Sequence, residues 1–404
     1  MTEVIDPFAA QSGVVDYGTF TFTAARHILA DLCEHAVVAV GARESAQRPD
    51  LGCFQMRLAG AAGEPIYLQV TATDLERTVV ATTGAVSYEG EAWPDQAYIP
   101  ARRLLAILRE IPQGDVTITV SGNKAVVTAA AGSTGWELRL PAASAYPEFP
   151  VLSTFGFQPY PRPKLLDALR AVRHAACRDG SLVNLTQVAI TDTGGETQTV
   201  ATAADGVRMA RAALPGFPQA FCIPVSVLDD LVKLLSSSPV PEAAAGQTKS
   251  LIGFRVGHVV LAAVKRTAPF PDVDGQLLKK THGNSEVLEV DRESLAGAVR
   301  RVRINADTQS AAIALSLASD ALTVAGQDGD NSAAEKLPAT WTGEPGRLVV
   351  VSHVALSEAL SAHPAAVCKF RLGTDVGKKR SLVHLAADGV TQVLTQLPPA
   401  LAGF

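Results

Sequence analysis

The chain has 404 residues, 47% apolar and 19% charged, with a net charge of −5. It carries no run of about 18 apolar residues that could cross a bilayer as a helix. Its acidic opening, residues 1–17, lacks the basic and apolar regions of a secretory signal, and its length allows several domains of roughly 100–200 residues.

Residues 1–16 read as an extension ahead of the first regular element. From there a short apolar strand pattern runs into an amphipathic helix six times, over Phe20–His35, Tyr98–Pro112, Gln158–Ala176, Cys222–Leu235, Leu288–Arg303 and Leu348–His363. A leucine sits at the second turn of each: Leu29, Leu105, Leu166, Leu228, Leu295 and Leu356, spaced by 76, 61, 62, 67 and 61 residues. A loose period of about 60 residues is the signature of a repeat.

Between the helices the residues alternate as strands do, at Phe54–Leu58, Val116–Val120, Val183–Ala189, Leu251–Val256, Ala312–Leu317 and Leu382–Ala386. Gly122-Asn123 and Gly194-Gly195 read as turns, and residues 236–250 and 326–346 as loops by composition. Each unit therefore predicts a strand, a helix and about three antiparallel strands. Such a unit is too small to cover its own sheet, so the units pair into three similar α+β domains with helices on one side. The Pro-rich stretch Pro141–Pro163 and the polar stretch Asp272–Ser285 place the domains at 17–153, 154–284 and 285–404.

A catalytic reading finds no support. There is no G-x-S-x-G, H-E-x-x-H, phosphate-binding P-loop or dinucleotide-binding glycine pattern. The eight histidines show no ligand spacing, so no metal and no cofactor is expected. Asp74 and Glu76, two apart, would share a strand face without a third group to work with. Cys33, Cys53, Cys177, Cys222 and Cys368 lack C-x-x-C spacing and read as reduced thiols of a cytoplasmic protein. The helical windows carry 14 Lys and Arg against 11 Asp and Glu, a net of +3, which leaves −8 for the rest of the chain. That excess lies in the second, third and fifth helices. Taken alone it describes solvated helix faces.

Two strings say more. Thr71–Glu76 (TATDLE) ends a strand, and Ala201–Ala210 (ATAADGVRMA) has an Asp-Gly pair where Gly206 can take a positive φ in a tight turn. With Pro100–Leu105 (PARRLL), Trp136–Pro150 and Phe270-Pro271-Asp272, they fall in the order found in bacterial DNA polymerase III sliding clamps, the β subunits of the replicative polymerase. The resemblance covers roughly residues 17 to 396. It implies the DNA clamp fold, in which two subunits of three domains each close head to tail into a homodimeric ring, helices inside and sheets outside. Double-stranded DNA would thread that ring without regard to sequence, with Arg102, Arg103, Arg170, Arg173, Arg300 and Arg301 facing it.

The resemblance further implies a cleft that captures short peptides of the replicative polymerase and clamp-loader subunits. Carried onto this chain, the cleft takes in Leu185, Gly206, Val207, Arg208, Met209 and Pro271, with Leu278, Val354, Leu394, Leu397 and Pro398. The expected function is a processivity factor rather than an enzyme. The chain departs from the family pattern at Val207, where His is common, and at Met209, where Leu is common. It departs again at Val273–Gln276, where a basic stretch is usual, and in its QLPPALAGF ending, so it reads as a divergent member. A second reading, motivated by the modest helix charge, is a clamp-fold protein that binds such peptides without encircling DNA.

Overall fold

A computed structural model of the chain describes residues 17–41, 48–59, 66–84, 86–90, 96–129, 134–141, 146–193, 199–273, 275, 278, 285–372 and 382–403. The N-terminal extension, the Gly194-Gly195 turn and most of the stretch 274–284 lie outside the described residues. The chain divides into two compact units: residues 1–159 with 233–265, and residues 160–232 with 266–404.

Six α-helices occur among the described residues: α1 (Arg26–Ala36), α2 (Ala101–Glu110), α3 (Arg162–Val172), α4 (Val225–Ser237), α5 (Arg292–Val302) and α6 (His353–Ala362). Each follows directly on a strand, as the six-fold pattern predicts. The six repeat leucines are at most 6% exposed. Burying each contributes roughly 1.5–3 kcal/mol, which anchors its helix to the sheet beneath.

In the first unit, five strands run in the order Val86–Gly90, Thr19–Ala25, Asp115–Ser121, Lys124–Ala129, Gly135–Arg139. Seven others lie side by side within a second, eight-stranded sheet in the order Glu242–Gln247, Leu251–Val256, Val259–Val264, Arg77–Thr83, Tyr67–Thr73, Cys53–Ala59, Gln96–Pro100. The pairing Val80↔Val260 at its middle joins the first repeat to the fourth. Helix α1 lays Leu29, Leu32, Cys33 and Ala36 on the strands Tyr67–Thr73 and Arg77–Thr83, the i, i+3, i+4, i+7 stripe of a half-buried helix. Arg26 Nε at its start donates to the Leu108 carbonyl at the end of α2 (2.7 Å), satisfying an oxygen that the helix itself leaves free.

In the second unit, twelve strands form one antiparallel sheet. Its order is Phe221–Pro224, Gln187–Asp192, Thr199–Ala204, Arg208–Ala213, Val390–Thr395, Leu382–Ala387, Val367–Leu372, Glu286–Asp291, Asn331–Trp341, Ala321–Asp328, Ala312–Ala318, Arg347–Ser352. Helix α3 packs on the strands 199–204 and 208–213, and α5 on 321–328 and 331–341, repeating the arrangement of α1. Asp291 caps α5 by accepting from the Ser294 N–H (2.8 Å). Arg292 Nη1 donates to the His363 carbonyl just past α6 (2.8 Å), the same brace that Arg26 provides in the first unit.

Three expectations need correction. Glu242–Gln247, within a predicted loop, is a strand; its run of small residues makes room for Phe155 and Phe157, since a Cβ on Gly246 would lie 2.6 Å from the Phe155 carbonyl oxygen and 3.0 Å from the Phe157 ring. Residues 326–346 contain most of a long hairpin, Ala321–Asp328 paired with Asn331–Trp341 around Gly329 at φ 57. Polar residues there occupy the solvent side of an alternating strand. The strand predicted from Val183 starts at Gln187, because Val183–Leu185 form a 3-10 turn closed by Thr186 Oγ1 donating to the Val183 carbonyl (2.8 Å).

Candidate partner cleft and helix faces

The turn Asp205–Arg208 is built by its own side chains. Asp205 Oδ1 accepts from the backbone N–H groups of Val207 and Arg208 (both 3.0 Å), and Oδ2 from Arg208 Nε (2.8 Å). Gly206 supplies the left-handed residue, at φ 91. Arg208, with 14% of its side chain exposed, also donates through Nη1 to Glu358 on α6. His174 lies near this group of charges. Burial above all, and then the Arg208 guanidinium, pulls its pKa down to about 4.

Beneath the turn, Ala204, Met209, Val273 and Val393 form a buried apolar cluster. Leu185, Phe270, Leu278 and Leu382 pack against it while staying partly open to solvent. Gln187, fully buried, holds two sides of this site together: its Nε2 donates to the Ala268 carbonyl (2.8 Å) and the Asn184 carbonyl (3.3 Å). Leu182, Val183 and Val207 are exposed, and a Cβ on Gly206 would touch Leu182. Val354, also exposed, lies one turn before Glu358 on α6 and so shares its face.

The predicted cleft residues therefore divide. Leu185, Leu278 and the turn Gly206–Arg208 come together, whereas Met209 and Leu394 are 1% and 3% exposed and offer a peptide no surface. Strand alternation is the reason: Val393 points into the cleft cluster, and its neighbour Leu394 into the large core of the last repeats. Leu394 meets the cleft only through its backbone, paired with Arg208. Leu397 packs on a different cluster, Ala312, Ala314, Val350 and Ala402, with its N–H donating to the Val350 carbonyl (2.8 Å). Pro398 beside it is exposed, and Pro271 is half-buried next to Phe270. Leu182, Val183 and Phe270 stand at the site although none of them is among the expected cleft residues. Val183 begins a stretch that reads as a strand and Leu182 lies just ahead of it, and an exposed apolar residue there carries no signal of its own.

The six basic residues expected on helix faces are all exposed. Arg301 makes a bidentate pair with Glu335 (2.6 and 2.8 Å), and Arg173 lies 4.0 Å from Asp229, which also binds Arg178. Between α5 and α6 a groove of about 660 Å³ is lined by Arg292, Arg300 and Arg303 against one carboxylate, Glu293. Asp74 and Glu76 do not share a strand face. Asp74 spends both oxygens on its own turn, accepting from the N–H groups of Glu76 and Arg77 and from Arg77 Nε.

A beta sliding clamp from Synechococcus elongatus is 30% identical over 262 residues, spanning 61% of this chain and 67% of that protein. This chain belongs to the beta sliding clamp family. The Micrococcus luteus clamp is 27% identical over 331 residues, 79% of this chain and 99% of its own. No family model matches the chain. A solved Caulobacter crescentus clamp superposes with a TM-score of 0.83 at 22% identity, covering 94% of this chain and all of that one. The Thermotoga maritima β subunit gives 0.79 at 17% identity, covering 94% and 99%. The fold is thus the α+β DNA clamp fold of three domains, and the family is non-catalytic and serves DNA replication.

Proposed function

We propose that this clamp-family chain closes as a homodimeric ring around double-stranded DNA and tethers the replicative polymerase, receiving polymerase and clamp-loader peptides in the cleft under Asp205–Arg208. The observation that carries this reading is an exposed apolar rim, Leu182, Val183 and Val207, over a buried apolar floor, beside an arginine already fixed by two carboxylates. Two apolar anchors contribute roughly 1.5–3 kcal/mol each; association costs remove much of that, so micromolar exchangeable binding is expected. Domains at 17–153, 154–284 and 285–404 give each half-ring six helices. The free thiols fit a reducing compartment such as the cytoplasm; among the described residues no helix is long and apolar enough to cross a membrane.

Ring closure has local support in the second unit. Strand Asn331–Trp341 pairs with Glu286–Asp291 only through Ala339–Trp341, so residues 331–338 present a sheet edge on that side. Ile304, 80% exposed, sits next to Asn305, whose Nδ2 donates to the Ser332 carbonyl on that strand. An open edge beside a bare isoleucine is a pairing surface. On the DNA side, the guanidiniums of the α5–α6 groove and Arg102, Arg103 and Arg170 would supply sequence-blind, salt-weakened attraction to phosphates.

The test is loading onto nicked circular DNA with a clamp loader, linearising half the sample and measuring retention in high salt. Retention on circles that is lost on linear DNA supports the ring; loss from both, with a control clamp retained, rejects it. Peptide binding without retention would instead favour the reading of a clamp-fold peptide binder. The pairing of Arg301 and Arg173 with carboxylates speaks for that alternative.

A further inference from the structure

We propose that Asp31, His35 and His258 form a binding site for a divalent metal ion of the zinc type, which staples helix α1 to the hairpin Leu251–Val264. The three side chains come from sequence positions up to 227 residues apart, yet one ligand atom from each lies within 4.8 Å of the others. His258 Nε2 is 2.9 Å from Asp31 Oδ2, His35 Nε2 is 3.5 Å from Asp31 Oδ1, and the two rings stand edge to face with centroids 5.8 Å apart. Ligands about 2.0–2.1 Å from a tetrahedral zinc ion stand roughly 3.3 Å from one another, so small side-chain rotations close the site.

The backbone places these groups firmly. Asp31 and His35 are four apart on α1 and share one face. His258 occupies the two-residue turn between Leu251–Val256 and Val259–Val264, where Gly257 takes φ 58. The His258 carbonyl accepts from the Thr82 N–H (3.0 Å), and Thr82 belongs to the strand on which α1 packs. Both ligand-bearing elements are thus fixed to one strand, the rigid support a metal site needs.

The donor set selects the ion. Two imidazoles and one carboxylate suit zinc, cobalt or nickel, whereas calcium and magnesium prefer all-oxygen sites. Asp31 and His258 keep about half of their side-chain surface exposed, which leaves the fourth position to water. Glu34 and Lys233 are the other charged groups near His35. Glu34 lies 3.6 Å from Arg109.

The untagged full-length chain, stripped by chelation, is titrated with cobalt(II) and then zinc(II). The proposal expects one equivalent of cobalt with tetrahedral visible absorption and no thiolate charge-transfer band, displaced by zinc, with a zinc-dependent rise in Tm. His258→Ala and Asp31→Asn should each weaken zinc binding at least 10-fold and abolish the rise in Tm, while His27→Ala on the exposed face of α1 should change neither. Absence of a visible band, a thiolate band, or unchanged binding in the folded His258→Ala and Asp31→Asn variants would overturn it. DNA retention is not part of the readout, so the result stands apart from the ring assignment.

Discussion

The turns Asp74–Arg77 and Asp205–Arg208 occupy matching places in the first and third repeats and share one hydrogen-bond scheme. In each, the Asp Oδ1 accepts two backbone N–H groups, Oδ2 accepts from the Arg Nε, and the Asp N–H donates to the Arg carbonyl at 3.2 Å. The residue after the Asp takes a positive φ in both, 91 at Gly206 but 76 at Leu75. A left-handed leucine costs roughly 1–2 kcal/mol. In the first turn Thr73 offsets that cost: its Oγ1 accepts from the Leu75 N–H (3.1 Å) and donates to the Arg77 carbonyl (2.9 Å). Ala204 stands at the corresponding place in the other turn and can do neither. The Asp and Arg specify the turn; glycine only relieves it. What differs is the task, since Arg208 reaches across to Glu358 on α6 over an apolar floor.

Four experiments test this contrast. The largest effect is expected from Arg208→Ala, which leaves Asp205 and Glu358 without their cation and should cost about 2–4 kcal/mol in urea unfolding. Arg77→Ala, which strips a half-buried turn with no apolar cluster described beneath it, should cost less, about 1 kcal/mol; equal losses would erase the distinction. Acid comes next. The pKa of His174 is about 4 in the folded chain against 6.5 ordinarily, so between those values the unfolded chain binds more protons. Stability should fall as pH drops from about 6.5 to 4, and His174→Gln should flatten that part of the profile.

Gly206→Leu should cost about 1–2 kcal/mol, and adding Ala204→Thr should recover part of it by recreating the first turn's device. The smallest effect is expected from a cycle of Thr73→Ala and Leu75→Gly. The threonine change alone should destabilise by about 1 kcal/mol, and on the glycine background its cost should shrink by about half. Simple additivity in that cycle would show that Thr73 does not support Leu75.

The helices were legible because each presents leucine at a fixed place in an apolar stripe, a pattern that survives low identity. Residues 242–247 hid as a strand, since alanine and glycine look like loop while the Phe155 backbone and the Phe157 ring need that space. In the candidate cleft, the turn and Leu185 could be found from their strings. The burial of Leu394 and Met209 could not, because it depends on which face of a strand meets which core. The Asp31–His35–His258 group was invisible for a different reason. Asp31 and His35 share a face of α1, but His258 reaches them only through a sheet pairing that joins separate repeats, and spacing along the chain says nothing of that third member.

That pairing has a consequence for how the protein is made. Strand Arg77–Thr83 finds its neighbour Val259–Val264 only after the ribosome has added about 180 more residues, a delay of roughly 10–40 s at 5–20 residues per second. Throughout that interval the nascent chain carries a bare, valine-rich edge, so its early folding depends on whatever holds that edge until the partner strand emerges.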